Sequence, residues 1–337
     1  MSLKPFLDLQ RDGRLAPLLS IGAALKPYYK LAFLAAAGES GLLALLADGP
    51  MTFDAIAAHV GAEGQGREAL EAWLQLGVRL KLMGRDGRGY TLRGMAAALA
   101  EPKNDAALAM VQEVAELHHK LIAETVPRVR EKRLFTLADQ DGELIARSSR
   151  ILEAFQVEAI QRTFPKQGPV RLLEIGCGSG VYLKHAAEVN PALTAVGVEL
   201  QPAVAEAART NLSNWGLEGR VTVEAGDIRA KTPSELFDIA TLYNDLYYFP
   251  VDERVALLKH LAGFLKTGGF LLLTTCCQGG SVGSEALNLW GAATADCGRL
   301  PAEDELAGQL REAGFRTVKT RNLLPGDRFV AFQAFRA

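Results

Sequence analysis

Residues Leu172 to Gly180 read LLEIGCGSG, and they combine the end of a strand, a turn and the approach to a helix. An apolar run from Val170 leads into this stretch and predicts a buried strand. Glycines at 176, 178 and 180 indicate a turn whose backbone approaches a ligand too closely to carry side chains. A helical pattern begins at Val181, so the turn delivers the ligand to a helix N-terminus, which favours a nucleotide-like molecule.

The spacing of these glycines argues against a dinucleotide such as NAD. The dinucleotide fingerprint is G-x-G-x-x-G, whereas this loop has G-x-G-x-G, with Glu174 two residues before the first glycine. A carboxylate beside a diphosphate is repulsive, but beside a ligand with an ammonium and a sulfonium group it is attractive. An NAD-linked oxidoreductase is therefore the weaker interpretation.

Later stretches predict further strands, three of which end in polar residues. These are Ala192–Leu200 (ALTAVGVEL), Arg220–Ile228 (RVTVEAGDI), Phe237–Asn244 (FDIATLYN) and Gly268–Thr275 (GGFLLLTT). Glu199, Asp227 and Asn244 fall at carboxyl ends of strands, where open α/β sheets bind ligands. In that position Glu199 can accept hydrogen bonds from both hydroxyls of a ribose.

Together these features resemble the class I S-adenosylmethionine (SAM)-dependent methyltransferases, whose first motif is E/D-x-G-x-G-x-G. The resemblance implies an α/β fold with a Rossmann-like, seven-stranded, mostly parallel sheet, closed by a hairpin predicted at residues 315–319 and 328–335. It implies SAM as the cofactor, with Asp227 facing the adenine amino group and Ile228 against the ring. The residues expected to contact SAM are Glu174, Gly176, Gly178, Gly180, Glu199, Leu200, Asp227, Ile228 and Asn244.

Composition limits the classes of protein that the chain can represent. Its 337 residues suggest two domains, and 49% hydrophobic residues are ample for packed cores. A net charge of −2 offers no global basic field for nucleic acid or anionic membrane, and no apolar stretch reaches membrane-spanning length. The four cysteines form no C-x-x-C pair, which indicates neither zinc nor a disulfide framework. We therefore expect a cytoplasmic protein without membrane or nucleic-acid partners.

Residues 1–105 predict a helical domain with a winged-helix pattern. The segment 15–46 is helical in character, with breaks expected near Pro27 and Gly41. A short helix capped by Thr52 and a second helix over residues 66–79 precede a hairpin over residues 82–92.

A winged helix raises the alternative of a SAM- or metabolite-sensing transcription regulator. In the helix that would read DNA, Arg67 and Arg79 are balanced by Glu68 and Glu71, whereas phosphate neutralisation needs surplus basic residues. The chain also resembles, over nearly its full length, small-molecule O-methyltransferases of plant and bacterial secondary metabolism. That resemblance implies a winged helix used as a structural, dimerising module, and hence a homodimer.

Residues 106–165 predict a helical connector that contains the pair His118-His119. In the resembling family such helices roof the substrate pocket. The stretch Lys166-Gln167-Gly168-Pro169 marks the start of a catalytic domain over residues 166–337.

The acceptor chemistry is where this chain departs from the resembling family. A hydroxyl acceptor needs a general base, which those O-methyltransferases supply from a His after the fourth strand, in H-D-W-x-D-E. Here residues 244–253 read NDLYYFPVDE, which keeps the Asp-Glu and lacks the His. O-methylation is favoured over the other acceptor chemistries, and His118 or His119 could serve as its base, although adjacent helix positions cannot both face one pocket. Asn244 and Tyr247 match the ends of the N-P-P-Y motif of amine methyltransferases, so N-methylation stays open, as does C-methylation.

We therefore predict a SAM-dependent methyltransferase that acts on a small, largely apolar or aromatic metabolite. The catalytic candidates are His118, His119, Asn244 and Tyr247, and the predicted pocket wall consists of Tyr247, Tyr248, Phe249, Trp290 and Cys276. The five histidines are scattered without metal-ligand spacing, so no metal is expected.

Overall fold

The computed structural model describes residues 3–337, which divide into two compact units. The first unit comprises the chain up to Lys120 together with Asp141–Ile151. The second comprises Leu121–Gln140 and Leu152–Ala337. The three-part division of the sequence, with a separate connector over residues 106–165, stays a prediction.

The first unit is mainly helical and includes one two-stranded hairpin. Its elements in chain order are α1 (Lys4–Arg11), α2 (Leu15–Glu39), α3 (Leu42–Leu45), α4 (Phe53–His59), α5 (Gln65–Arg79), β1 (Met83–Asp86), β2 (Gly89–Leu92), α6 (Met95–Leu99) and α7 (Asp105–Glu113). A π-helical turn at Val114–His118 joins α7 to α8 (His119–Arg130), which continues into the second unit, and α9 (Gly142–Ser148) returns to the first.

Helix α2 corrects one prediction, because it passes through Pro27 without a break. A proline removes one backbone donor, and the turns of this 25-residue helix continue on both sides of it. The second predicted break is confirmed: Gly41 has a left-handed backbone, with φ at 74°, and α3 starts after it.

The winged-helix pattern of the first half is present in this unit. Thr52 caps α4 through a hydrogen bond from the Ala55 N–H, and β1 pairs with β2 antiparallel from Met83↔Leu92 to Asp86↔Gly89. The core includes Phe33 of α2, whose ring stacks on Trp73 of α5 at 4.0 Å between centroids. Two arginines of this region are paired with acids of the same unit, Arg67 with Asp54 and Arg85 with Glu71. These pairs neutralise part of the positive charge of α5 and the hairpin.

The second unit contains a seven-stranded sheet. Its strands are β3 (Val170–Ile175), β4 (Leu193–Glu199), β5 (Val221–Ala225), β6 (Phe237–Tyr243), β7 (Leu265–Cys276), β8 (Phe315–Asn322) and β9 (Phe329–Arg336). They lie in the order β5-β4-β3-β6-β7-β9-β8. Strands β3 to β7 are parallel, and β9 runs antiparallel to both of its neighbours. This arrangement confirms the predicted mostly parallel sheet and its closing hairpin.

Helices accompany the strands of this sheet. They are α10 (Glu153–Thr163), α11 (Val181–Val189), α12 (Pro202–Asn214), α13 (Arg254–Gly263), α14 (Val282–Ala293) and α15 (Glu303–Glu312). The central strands β3, β6 and β7 are almost wholly buried, which explains their near-continuous apolar sequences. Among residues 3–337, no helix is both long enough and apolar enough to cross a membrane.

Candidate active site

The candidate site lies at the carboxyl ends of β3 and β6, where the order of the strands reverses. From β3 the chain builds outward through β4 to β5, and then β6 pairs with the other side of β3. The loops after β3 and β6 therefore leave the sheet in opposite directions and open a crevice between them. The glycine loop follows β3, and the stretch from Asn244 follows β6.

Hydrogen bonds to the neighbouring strand hold the glycine loop in place. The N–H groups of Gly176 and Cys177 donate to the carbonyl of Val198 in β4 at 2.8 and 3.2 Å. The Asn211 side chain of α12 donates to the carbonyl of Ser179 at 3.0 Å. These hydrogen bonds fix the glycine loop at the carboxyl end of β3.

Two glycines of the loop have a left-handed backbone conformation that residues with a side chain rarely adopt. Gly176 and Gly178 have φ of +66° and +51°, in the left-handed region. A Cβ atom on Gly176 would also collide with the carboxylate of Asp245, whereas the space beside Gly178 is open. The first glycine therefore admits the Asp245 side chain, and the second leaves bare backbone exposed to a ligand.

Glu199, at the end of β4, is the acid that contacts the loop directly. One carboxylate oxygen accepts a hydrogen bond from the Gly178 N–H at 3.0 Å, and the other accepts from the Gln201 N–H at 3.0 Å. A carboxylate has about four lone-pair sites, so each oxygen keeps one for a ligand hydroxyl. The geometry fits the predicted contact with a ribose.

Glu174 and Asp245 bring two more carboxyl groups to the same loop. Glu174 is 1% exposed, and neither of its oxygens has a hydrogen-bond partner among the described residues. Burial, and then the charge of Asp245, raises the pKa of Glu174 well above its usual range. Burial, and then the charge of Glu199, does the same to the pKa of Asp245. In both cases the surroundings disfavour the ionised form, which a cationic ligand would favour.

The predicted adenine-side residues lie at the ends of β4 and β5. Leu200 is 57% exposed and available to a ligand, whereas Ile228 is buried in the core beneath the sheet's edge. Arg229 donates to both carboxylate oxygens of Asp227 at 2.8–3.1 Å and lowers its pKa. This arginine, which the sequence analysis did not consider, orients Asp227 and competes for its lone pairs.

Asn244 ends β6 in a left-handed conformation, with φ at 56°, which asparagine tolerates better than most residues. Its side-chain oxygen accepts a hydrogen bond from the Cys276 N–H at 3.2 Å, and its own N–H donates to the carbonyl of Thr274 at 2.7 Å. Both bonds tie the end of β6 to β7. They support a structural role for Asn244 rather than proton transfer.

Tyr247 and Tyr248 form a close aromatic pair after β6, with ring centroids 4.6 Å apart. Burial raises the pKa of Tyr247 well above its usual range and that of Tyr248 to about 12. Both hydroxyls therefore stay protonated at neutral pH. They can donate hydrogen bonds to the molecule that receives the methyl group, but they are poorly suited to remove a proton from it.

Helix α14 and strand β7 contribute the other predicted wall residues. Trp290 is 2% exposed, and its Nε1 has no hydrogen-bond partner among residues 3–337. The next residue, Gly291, lies so near Tyr247 that a Cβ atom on it would stand 3.5 Å from the tyrosine Cβ. Cys276 is buried at the end of β7, where burial raises its pKa to about 12. Helix α14 and the segment after β6 are thus neighbours at Gly291 and Tyr247.

A buried arginine holds the segment after β6 in shape. The Nε of Arg254 donates to the carbonyl of Phe249 at 3.3 Å, and one Nη donates to the carbonyl of Arg299 at 2.6 Å. Burial lowers the pKa of this guanidinium to about 10, so it remains charged at neutral pH. Arg254 therefore connects the aromatic segment to the chain that follows α14.

The two histidine candidates belong to the first unit, and the structure distinguishes them. The Nε2 of His118 lies 3.2 Å from a carboxylate oxygen of Glu113, and these side chains are 12% and 10% exposed. The π-helical turn between them suits this pairing, because it places residues five apart above one another. His119 is exposed. The remaining histidines of the second unit have other partners: His185 contacts Glu153 and Glu188, and His260 contacts the Ile228 carbonyl.

Asp245 is the site residue that the sequence analysis missed. The available signal was its position directly after a strand, beside Asn244. Its importance depends on β6 lying next to β3, which places its carboxylate against Gly176. The bare glycine backbone, the partnerless carboxyl of Glu174 and the acceptor oxygens of Glu199 together fit a nucleoside that carries a positive charge.

Comparisons with known proteins agree with this geometry. A family model described as a methyltransferase domain matches residues 145–320. Demethylspheroidene O-methyltransferase of Cereibacter sphaeroides is 31% identical over 307 residues, which cover 86% of this chain and 79% of that protein.

Solved structures share the fold over nearly the whole chain. The mitomycin 7-O-methyltransferase MmcR has a TM-score of 0.81 at 20% identity, covering 97% of this chain and 100% of its own. Human N-acetylserotonin methyltransferase in complex with SAM has a TM-score of 0.72 at 21% identity, covering 96% of this chain and 97% of its own. The chain belongs to the SAM-dependent methyltransferases, within the family of these O-methyltransferases, and its cofactor is SAM.

Proposed function

We propose that the protein transfers the methyl group of SAM to a hydroxyl oxygen of a small, largely apolar or aromatic metabolite. The observation that carries this proposal is the 31% identity, over most of both chains, to an enzyme named for O-methylation of demethylspheroidene. The aromatic pair after β6 supports it, because the rings of Tyr247 and Tyr248 lie together there, with centroids 4.6 Å apart.

For the cofactor site we propose the residues that converge at the ends of β3, β4, β5 and β6. Gly176, Gly178 and Gly180 present backbone, and Glu199 accepts from the ribose. Glu174 faces the positive charge of the cofactor. The adenine is bordered by Leu200, Asp227 and Ile228. Asn244 fixes the loop that borders the methionine end. Bound there, the sulfonium supplies a methyl group with a good leaving group attached, so the protein's main task is positioning and exclusion of water.

For the general base we propose His118 rather than His119. Its imidazole is mostly buried and paired with Glu113, as expected of a base oriented by a carboxylate. A neutral imidazole held in this way could take a proton from a hydroxyl group within hydrogen-bond reach. Tyr247, the other candidate of this kind, is better suited to orienting the acceptor, since its hydroxyl stays protonated.

We also propose that two copies of the chain associate through the N-terminal helices. Helices α1 and α2 carry apolar side chains with more than half of their surface exposed, namely Phe6, Leu7, Leu18, Leu19, Ile21 and Tyr28. So many exposed apolar side chains on two successive helices are unusual for a monomer and typical of an interface. All four cysteines are free thiols, which supports the predicted cytoplasmic location.

The test is a matched panel of acceptors incubated with the full chain and SAM. It should contain demethylspheroidene, a naphthol and the naphthylamine of the same ring system. We expect S-adenosylhomocysteine (SAH) to form with the hydroxyl compounds, and mass spectrometry and NMR to place the methyl group on oxygen. Methylation of only the naphthylamine, or of a ring carbon, would contradict the proposal.

A further inference from the structure

Helix α8 carries a stripe of exposed apolar side chains in the part of the helix that belongs to the second unit. Ile122, Val126 and Val129 are 71%, 59% and 60% exposed. Their spacing of four and three residues places them on one face of the helix, whereas Leu121, on another face, is fully buried. The helix is therefore packed along one side and presents an apolar stripe on a face turned away from it.

Unpaired basic residues follow this stripe directly. Residues 119–134 contain five basic and two acidic residues, and both acids are paired with arginines. Arg130 and Lys132 are exposed and have no ion pair among residues 3–337. The expectation of no membrane partner rested on the net charge of the whole chain, −2, which does not describe this local excess of positive charge.

The contacts of the chain after α8 fix the stripe at the surface of the second unit. Arg128 donates to the carbonyl of Leu134 at 3.3 Å and pairs with Asp139 at 3.2 Å, which turns the chain back beside the helix. Phe135 is fully buried and makes two backbone hydrogen bonds of 2.8 Å, one with the end of α14 and one with the chain just after it. These contacts hold the following segment in a position that leaves the stripe uncovered.

Together Ile122, Val126, Val129, Arg130 and Lys132 form a surface, the α8 face, that combines apolar and cationic groups. A lipid surface with anionic headgroups offers the matching layers, acyl chains for the stripe and phosphates for the bases. We propose that the α8 face binds the surface of an anionic membrane, with the helix lying in the plane of the headgroups. The inference goes beyond the proposed function. Docking also brings the protein to the lipid in which an apolar acceptor collects, and this last link alone rests on the proposed function.

A second copy of the chain matches the α8 face less well than lipid does. In a twofold contact centred on this face, each copy presents the same groups, so two sets of unpaired bases meet. Glu124 and Glu131 are the only acids of residues 119–134, and each already pairs with an arginine. Phosphate headgroups supply the negative charge that a second copy lacks here.

Sedimentation of the full chain with lipid vesicles tests the proposal without cofactor or acceptor. Vesicles of phosphatidylcholine alone are compared with vesicles of equal parts phosphatidylcholine and phosphatidylglycerol. We expect the chain to sediment with the mixed vesicles and much less with the neutral ones. Raising the salt from about 0.1 M to about 1 M shortens the Debye length from about 10 Å to about 3 Å and should weaken the binding.

Variants separate the cationic and apolar parts of the α8 face. A basic residue near an anionic surface contributes about fivefold in affinity, so the double variant Arg130→Gln, Lys132→Gln should bind mixed vesicles about 25-fold more weakly. The double variant Ile122→Ser, Val126→Ser should lose at least about tenfold, because less apolar area enters the lipid.

Two matched controls alter the same residue types elsewhere on the second unit. Lys259→Gln, Arg316→Gln removes two exposed bases, and Val282→Ser removes an exposed apolar side chain, so both should bind vesicles as the wild type does. Thermal melts check that every variant keeps its fold.

Two results overturn the proposal while leaving methyl transfer untouched. The first is a wild-type chain that sediments with neither kind of vesicle, and the second is binding by both variants of the α8 face that equals binding by the controls. Light scattering adds a third: a dimer that Ile122→Ser, Val126→Ser converts into monomers, without a change in vesicle binding, assigns the α8 face to a second copy instead.

Discussion

The carboxylate of Glu199 combines two roles, support of the glycine loop and the proposed contact with the ribose. It accepts hydrogen bonds from Gly178 and Gln201, and thereby supports the glycine loop that the proposed ribose contact also needs. Acids at the ends of strands are common caps, and the contact with the loop is what supports Glu199 as part of the proposed ligand site.

Glu199→Ala should therefore weaken SAH binding by about 10- to 100-fold. A hydrogen bond to a charged group contributes about 1.5–3 kcal/mol, and each 1.4 kcal/mol is about tenfold in affinity. Calorimetry measures the change, and Glu224→Ala, an exposed acid on the neighbouring strand β5, serves as the control. Equal affinities for the two variants would show that the loop is not the cofactor site.

At His118 the expected effect is on catalysis rather than on binding. His118→Asn should lower kcat for a hydroxyl acceptor by about 10²- to 10⁴-fold, the usual contribution of a general base. SAH affinity should stay within about twofold of the wild type, since cofactor contacts are proposed only for the second unit. His119→Asn is the adjacent, exposed control. A larger loss for His119→Asn would reverse the assignment of the base.

Among the elements, the strands were predictable and some helix boundaries were not. The strands of the parallel sheet are buried on both faces, so their sequences are almost continuously apolar and stand out from the helices. Helix α2 was predicted to break at Pro27 because a proline removes one backbone donor. The predicted break was wrong because the loss of one hydrogen bond does not end this 25-residue helix, which continues on both sides of the proline.

A substitution that adds a single methyl group tests the conformation of the glycine loop. Gly176→Ala should lower the free energy of unfolding by about 1–2 kcal/mol, the cost of a left-handed backbone for a residue with a Cβ atom. It should also weaken SAH binding, because the added carbon displaces the Asp245 carboxylate. Chemical denaturation and calorimetry measure the two effects.

Gly219→Ala is the control for that change, since its added Cβ meets no atom within 4 Å and its φ lies outside the left-handed region. If Gly176→Ala matched this control in both measurements, the close approach of Asp245 to the loop would be unimportant.

On the scale of the whole molecule, the exposed apolar residues of α1 and α2 predict association. A Leu19→Glu, Ile21→Glu double variant adds negative charges that repel the same charges of the second copy, and it should convert a dimer into monomers. Size-exclusion chromatography with light scattering gives the mass of each species. The control is Val282→Glu, a change at a fully exposed apolar residue of α14. A wild-type chain that is monomeric at micromolar concentration would contradict the proposed dimer.

The local sequence was sufficient to predict SAM as the methyl donor. It was insufficient to predict the methyl acceptor. Short stretches of sequence were enough to predict the strand, the alternating glycines and three acids, because strand burial and turn conformation depend on neighbouring residues. The acids are Glu174, Glu199 and Asp227. The pairing of Asp227 with Arg229, two residues away, was equally local, and only the side-chain geometry revealed it.

Tertiary structure decided which distant residues meet. Asp245 lies at the proposed cofactor site because β6 pairs with β3, which places its carboxylate against Gly176. His118 differs from His119 because a π-helical turn brings Glu113 to one of them only. The charge state of a buried carboxyl or phenol likewise depends on the whole surrounding shell, since desolvation and neighbouring charges come from many elements at once. Such contacts follow from the path of the chain, which no short stretch of sequence records.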